Sequence, residues 1–146
     1  MLEDARLNIE AKGLVLKTDI APRCAISGDE TRLRQVIFNL LTNAIKFTDR
    51  GEISATLTSN ETSIRFALQD SGIGISVASQ DKIFGRFTQA LEAGAQRHSG
   101  LGLALWIAHT IVTAHHGTLH VESAGPGQGA TFIMTLPRSS DPGVLA

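Results

Sequence analysis

The stretch DETRLRQVIFNLLTNAIKFTDRG, residues 29–51, decides most of what can be predicted about the fold. Its apolar residues recur with helical spacing: Leu33, Val36, Ile37, Leu40, Leu41, Ala44 and Ile45. Asp29 is a good N-cap because its side chain can accept a hydrogen bond from a free backbone N–H, and Gly51 ends the run. A helix of about 18 residues, roughly 27 Å long, is therefore predicted here.

The same helix carries a polar face. At 100° per residue, Gln35, Asn39, Asn43 and Lys46 lie close together and away from the apolar stripe. An amide oxygen suits Mg²⁺, and a lysine ammonium supplies a point charge for phosphate. By itself, the face is compatible with a site for a metal-bound triphosphate or with an ordinary solvated helix surface.

The sequence pattern on either side of this helix predicts further helices and strands. Further helices are predicted over residues 3–11, 77–84 and 100–115, the last with Gly117 as its C′ residue. Strands are predicted over residues 14–20, 52–59, 63–70, 118–123 and 130–136. The second and third form a hairpin around Asn60-Glu61, and the last two form a hairpin around residues 125–129. Residues 88–99 show no period and are predicted to be a functional lid or a disordered loop.

These elements predict an α/β sandwich of the α+β class, with one mixed, mostly antiparallel sheet and helices on one face. The length of 146 residues suits one domain. A net charge of −1 gives no electrostatic case for nucleic acid or an anionic membrane. No apolar run approaches the roughly 20 residues of a membrane span, and no secretory signal opens the chain. Cys24 is the single cysteine, so the chain suits a reducing, cytoplasmic compartment.

Three further motifs follow the long helix: DSGIGI at residues 70–75, IFGRF at 83–87 and SGLGLAL at 99–105. Asp70 follows a strand, and its carboxylate can accept a hydrogen bond from an exocyclic amine. The glycines of this motif allow the backbone to approach a flat ring, although a plain turn at a strand end has the same composition. The glycines of the last motif open a helix, whose free N–H groups and dipole suit phosphate oxygens.

Together and in this order, the four motifs resemble the ATP-binding catalytic domain of two-component sensor histidine kinases. These kinases belong to the wider Bergerat-fold superfamily, which includes gyrase and mismatch-repair ATPases. The resemblance covers about residues 12–137, with residues 1–11 as the remnant of a linker helix and 138–146 as a mobile tail. It implies that ATP lies between the helices and under the lid.

The resemblance also implies roles for individual residues. Asn43 matches the magnesium ligand, Lys46 matches a phosphate contact, and Asp70 matches the residue that binds the adenine amino group. Thr131 matches a threonine that helps to hold a water beside the base. The implied catalytic residues are Asn39, Asn43 and Lys46. The implied nucleotide-binding residues are Asn39, Asn43, Lys46, Asp70, Gly72, Gly74, Ile75, Arg97, Ser99, Gly100, Leu101, Gly102, Leu103 and Thr131.

Some residues depart from the family pattern or have two interpretations. Arg97-His98 stands where the family commonly has two leading glycines, and Arg97 either reaches a phosphate or is solvated. Phe84 and Phe87 resemble the phenylalanines at the base of the family's lid, but both are equally compatible with the core. The five histidines show no zinc-binding spacing and are predicted to be structural or solvated: His98, His109, His115, His116 and His120.

Asn39 bears on the reaction. Related ATPases carry a glutamate at this position that activates water, and an amide cannot act as a general base at neutral pH. The chain is therefore expected to bind Mg-ATP, to hydrolyse it poorly, and to donate phosphate to a histidine. The phosphoacceptor motif H-E-[LIF]-R-[TN]-P is absent, so the histidine would lie on a separate dimerisation domain that passes phosphate to a response regulator.

Three alternatives remain at this point. They are an ATPase switch of the gyrase or chaperone type, a serine kinase of the anti-sigma type, and a nucleotide-sensing interaction module without transfer activity. The isolated domain is expected to be monomeric, because the family dimerises through helices that this sequence does not contain.

Overall fold

A computed structural model describes residues 2–21, 28–80, 82–85 and 103–138. Its helices are α1 (Leu2–Ala11), α2 (Glu30–Phe47), α3 (Val77–Gln80) and α4 (Ala104–Ala114). Its strands are β1 (Val15–Ile20), β2 (Glu52–Ser59), β3 (Ser63–Asp70), β4 (Thr118–Glu122) and β5 (Ala130–Pro137). Helix α3 is shorter than predicted, since the N–H groups of Lys82 and Gly85 bond to carbonyls only three residues earlier, as in a tight turn.

The five strands form one sheet in the order β1-β2-β3-β5-β4. Strands β1 and β2 are parallel, and every other neighbouring pair is antiparallel. Both predicted hairpins are confirmed. The pairing of β3 with β5 joins them across the centre of the sheet and places Asp70 opposite Ala130.

The core lies on one face of this sheet, against α2 and α4. Successive strand residues point to opposite faces, so Phe66 and Leu68 share the face of their partners Met134 and Phe132. All four are buried in the same apolar cluster as Leu40 of α2. The other face carries exposed polar side chains such as those of Arg65 and Gln69. The main apolar cluster lies on one face of the sheet, and the helices cover that side.

Helix α2 begins as the sequence predicts. The side chain of Asp29 accepts a hydrogen bond from the backbone N–H of Arg32 at 3.1 Å. The backbone N–H of Asp29 donates to Nε2 of His115 at 3.0 Å, while Nδ1 of that ring lies 2.8 Å from the carbonyl of Ile111. Nε2 is therefore the acceptor and Nδ1 carries the proton, and the neutral ring connects the start of α2 to the end of α4.

The end of α4 differs from the prediction. His116, with φ of 63°, is the left-handed C′ residue, and Gly117 follows it. The N–H of His116 bonds to Thr113 and that of Gly117 bonds to Val112, which is the Schellman arrangement. Gly117 is needed for a different reason, because a Cβ there would lie 2.4 Å from the carbonyl oxygen of Thr135.

The two ends of the described chain are attached to the rest of the fold. Ile9 of α1 is fully buried in the core. Arg138, the first residue of the predicted tail, donates a side-chain hydrogen bond to the carbonyl of Asn60 at 2.8 Å. Within the described ranges, no helix combines the length and apolar character that crossing a membrane requires.

Phe84 packs against the core, with its ring 6.1 Å from that of Phe132 and 5.3 Å from that of His109. The core interpretation of Phe84 is therefore supported. Several predictions fall outside the described residues: those on Phe87, His98, the loop over 88–99 and the tail over 139–146.

Candidate functional site

Asp70 ends β3 and is the buried carboxyl group in the described part of the chain. Its side chain is 6% exposed, and its Oδ1 accepts a hydrogen bond from the N–H of Gly72 at 2.9 Å. Burial raises the pKa of Asp70 to about 6, while hydrogen bonds from the backbone of Gly72 and Ala130 oppose the increase. The fold thus holds one hydrogen-bond acceptor at a fixed position in an apolar environment.

The glycines after Asp70 bring this loop close to other parts of the protein. A Cβ on Gly72 would lie 2.2 Å from the carbonyl oxygen of Phe47, at the end of α2. Gly74 has a positive φ of 73°, and a Cβ there would lie 2.1 Å from the carbonyl oxygen of Gly125. The described structure therefore explains both glycines by packing of the loop against α2 and against the β4–β5 connection.

Thr131 does not lie on the Asp70 face of the sheet, where the resemblance placed it. In the β3–β5 register, Asp70 pairs with Ala130 and Gln69 pairs with Thr131. Because side chains alternate between faces, Thr131 points to the face of the sheet opposite Asp70. Ala130 lies on the Asp70 face, and it has no hydroxyl group with which to hold a water.

The connection between β4 and β5 is the part of the site that sequence reasoning missed. The N–H of Gly127 donates to the carbonyl of Ile73 at 2.7 Å, and that of Gly129 donates to Gly72 at 3.2 Å. Ile75 donates its N–H to the hydroxyl of Ser123 at 3.1 Å. The dense glycines of residues 125–129 were the available signal, since they permit close backbone contact as well as a turn.

The polar face of α2 forms as predicted, with Gln35, Asn39, Asn43 and Lys46 all half-buried. The amide nitrogen of Asn39 donates to the carbonyl of Ala104 at 3.0 Å, which connects α2 to the first residue of α4. The ammonium of Lys46 lies 5.7 Å from the centre of the Phe47 ring. Asn43 forms no hydrogen bond with any residue that the structure describes, so its amide oxygen remains available there.

The start of α4 completes the described part of the site. Leu103 immediately precedes α4 and accepts a hydrogen bond from the N–H of Ile107 at 2.8 Å. The other predicted residues of this motif and its approach lie outside the described residues: Arg97, Ser99, Gly100, Leu101 and Gly102. Asn39, near the middle of α2, therefore lies beside the first residue of α4.

The mixed five-stranded sheet with its helices agrees with a known ATPase fold. Residues 28–140 match the family described as "Histidine kinase-, DNA gyrase B-, and HSP90-like ATPase". The chain belongs to this family. The family and the fold class inferred from the four sequence motifs are therefore confirmed.

Individual relatives of this ATPase domain are histidine kinases. The circadian input-output histidine kinase CikA of Thermosynechococcus vestitus is 40% identical over 116 residues, which cover 79% of this chain and 16% of that protein. The mycobacterial sensor histidine kinase MprB has a TM-score of 0.84 at 26% identity, over 94% of this chain and 90% of the MprB chain. The full-length ShkA structure in complex with AMPPNP has a TM-score of 0.80 at 29% identity, over 96% of this chain and 29% of ShkA.

The chain spans 5% to 36% of the length of the curated relatives compared with it. These relatives therefore contain much sequence that has no counterpart in this ATPase domain. The part of this chain that matches the ATPase family, residues 28–140, includes Asp70, the polar face of α2 and the start of α4.

The described side chains of this ATPase domain fit a nucleotide-bound magnesium ion. Nowhere in the described ranges do three His, Cys, Asp or Glu side chains come together as metal ligands. One amide oxygen, from Asn43, is compatible with Mg²⁺ because this ion keeps several waters and takes its other ligands from phosphates. Near the Asp70 loop, the hydroxyl of Thr48 is fully buried and has no hydrogen-bond partner within the described residues.

Proposed function

We propose that this chain binds Mg-ATP and donates its γ-phosphoryl group to a histidine on a separate dimerisation domain of a two-component sensor. The observation that carries the proposal is the buried Asp70 acceptor, held in the same fold as the amide-rich face of α2. Membership of the ATPase family and the AMPPNP complex of the similar protein ShkA support nucleotide binding.

Asp70 would recognise the base. Its carboxylate accepts hydrogen bonds only, so it suits the amino group of adenine and rejects the carbonyl that guanine carries at that position. Gly72, Gly74 and Ile75 would form the backbone wall beside the base. Thr131 is not part of this proposal, because it lies on the other face of the sheet.

Asn43 and Lys46 would interact with the triphosphate of ATP and its magnesium ion. The Asn43 amide oxygen would hold Mg²⁺ and the Lys46 ammonium would neutralise phosphate charge. The bound ion supplies charge neutralisation along the triphosphate when the phosphoryl group leaves. Arg97 and the Ser99–Leu103 segment are proposed to complete the phosphate contacts.

Asn39 explains why transfer is proposed rather than hydrolysis. Its amide has no basic form at neutral pH, and its nitrogen already donates to the carbonyl of Ala104. The residue therefore orients α2 and α4 and does not activate water. The acceptor imidazole would act as its own nucleophile once it is placed in line with the phosphate.

Calorimetric titration with Mg-ATP, and with Mg-GTP as the control, tests the binding step. Saturable ATP binding with little GTP binding is the expected result, and absence of binding would overturn the proposal. Transfer is then tested by adding a histidine-bearing dimerisation domain. An acid-labile phosphohistidine is expected, whereas an acid-stable phosphoserine would indicate a serine kinase and rapid phosphate release would indicate an ATPase switch.

Replacement of Asn43 by Ala is expected to weaken Mg-ATP binding about tenfold or more and to change metal-free ADP binding much less, since only the former needs a metal ligand. Calorimetry with both ligands measures the difference. Thr42→Ala, on the exposed side of the same helix turn, is the matched control. Equal losses for the two ligands would mean that Asn43 does not hold the metal.

ATP binding is expected to weaken as the pH falls through 6. The pKa of Asp70 is raised to about 6, so the carboxylate is ionised at pH 7.5 and mostly protonated at pH 5. If only the ionised form binds well, affinity should fall by up to about tenfold over this range. The variant Asp70→Asn controls for titration of the nucleotide itself, and an identical pH dependence in both proteins would contradict the prediction.

We also propose a cytoplasmic location, a response regulator as the indirect downstream partner, and a monomeric isolated domain. The catalytic unit is proposed to be residues 12–137. The net charge of −1 gives no electrostatic support for a nucleic acid as the ligand.

A further inference from the structure

The hydroxyl of Ser123, just after β4, is hydrogen-bonded to backbone groups of the neighbouring loops. Its hydroxyl accepts from the N–H of Ile75 at 3.1 Å and from the N–H of Gly125 at 3.2 Å. It donates to the carbonyl of Gly129 at 2.6 Å. A serine hydroxyl has one donor and two acceptor positions, so one side chain here holds three backbone groups from two different loops.

Gln80, at the end of α3, bonds to the same two residues, Ile75 and Ser123. Its amide nitrogen donates to the carbonyl of Ile75 at 3.1 Å and to the carbonyl of Ser123 at 2.9 Å. Both backbone polar groups of Ile75 are therefore held by these two side chains. Ile75 is 48 residues from Ser123 in the sequence, so the contact fixes tertiary rather than local structure.

The loop after Asp70 is also hydrogen-bonded to the β4–β5 connection. Gly72 and Ile73 accept hydrogen bonds from Gly129 and Gly127, which belong to the connection that Ser123 organises. Gly74 also packs closely against the carbonyl oxygen of Gly125, in the same β4–β5 connection. Gly72, Ile73 and Ile75 are thus each hydrogen-bonded to residues of the segment 123–129.

We propose that Ser123 is a positioning residue for recognition of the adenine base, acting through the loop over residues 72–75. The inference rests on the proposed ATP-binding function and adds a residue that the four motifs do not contain. Ser123 does not itself touch the nucleotide. It fixes the backbone beside Asp70, so that the acceptor and the wall of the base pocket keep one relative position.

The test is calorimetric Mg-ATP binding by Ser123→Ala and Ser123→Thr. The alanine variant is expected to bind about tenfold more weakly, since several loop hydrogen bonds are lost. The threonine variant keeps the hydroxyl and should bind within about threefold of the wild type. Ser63→Ala is the matched control, because Ser63 bonds to Asn60 at the opposite end of β3 and should leave affinity unchanged.

A double-mutant cycle separates positioning from a general loss of stability. If Ser123 acts through the Asp70 loop, Ser123→Ala should cost about tenfold in the wild type and less than about threefold in the Asp70→Asn background. Equal costs in the two backgrounds would overturn the inference. If Ser123→Ala does not fold, Gln80→Leu is the alternative variant, since it removes the hydrogen bonds from Gln80 to the carbonyls of Ile75 and Ser123. It should weaken ATP binding several-fold. Unchanged affinity in this variant would also overturn the inference.

The outcomes for the two proposals differ. Absence of ATP binding by the wild type would refute the proposed function. ATP binding by the wild type together with unchanged affinity in Ser123→Ala would refute only the role of Ser123.

Discussion

Replacement of Asp70 by Asn is expected to weaken ATP binding by roughly 10- to 100-fold, the cost of losing a hydrogen bond to a charged acceptor. The asparagine can still accept the hydrogen bond from Gly72 with its amide oxygen. Its NH₂ group, however, would face the amino group of adenine, so two donors would meet in a buried site. Calorimetric titration with Mg-ATP measures the loss.

The same change is expected to increase stability. The pKa of Asp70 is about 6 in the folded protein and near 3.8 in an unfolded chain, so folding disfavours the ionised form. No penalty exists below about pH 4, where the group is protonated in both states. The penalty grows as the pH rises to 6 and then stays constant at roughly 2–3 kcal/mol, which the neutral asparagine does not incur.

Urea unfolding at pH 7.5 and at pH 4 tests this second effect. The variant should exceed the wild type in stability at pH 7.5 and lose most of that advantage at pH 4. Asp49→Asn is the control, because the side chain of Asp49 is 58% exposed and its ion pair with Lys12 has a long N–O distance of 3.7 Å. A variant that lost both affinity and stability would show that Asp70 is primarily a structural residue.

Replacement of Gly129 by Ala is expected to destabilise the fold by roughly 3 kcal/mol or more, from backbone strain combined with overpacking. Gly129 has a φ of 69°, which disfavours any residue with a Cβ. A Cβ there would lie 2.2 Å from the carbonyl oxygen of Asp70, and backbone cannot move aside as a flexible side chain can. The displacement would reach Asp70, the residue proposed to bind the base.

Gly127→Ala is the matched control for this prediction. Gly127 also has a positive φ, of 79°, but a Cβ there would have no neighbour within 4 Å. It should therefore show the strain alone, about 1–2 kcal/mol. Urea unfolding midpoints give the comparison, and equal destabilisation of the two variants would show that contact between Gly129 and Asp70 does not restrict this position.

The sequence predicted those parts of the fold that depend on neighbouring residues. Helix α2 begins after Asp29 because a local side chain caps it. The β2–β3 hairpin turns at Asn60 because its side chain accepts hydrogen bonds from the N–H groups of Thr62 and Ser63, both at 2.8 Å. Resemblance to the family then assigned Asp70 and Asn43 their roles, which binding measurements have still to test.

The sequence was less informative where conformation and contacts come from distant segments. The left-handed residue at the end of α4 is His116 rather than Gly117, because the spacing of the final hydrogen bonds decides which residue reverses the chain. Gly72 and Gly74 were predicted to approach a ring, and the structure shows that each also lies too close to another backbone segment to carry a Cβ.

The sequence by itself determined the family, the two hairpins and the helix that carries the polar face, since periodicity, capping and motif order are local properties. Only the tertiary structure decided the surroundings of Asp70. The pairing of β3 with β5 sets which neighbour shares its face, and a shift of one residue reverses the choice between Ala130 and Thr131. The same long-range pairing brings Ser123 to Ile75, a contact that no local pattern specifies.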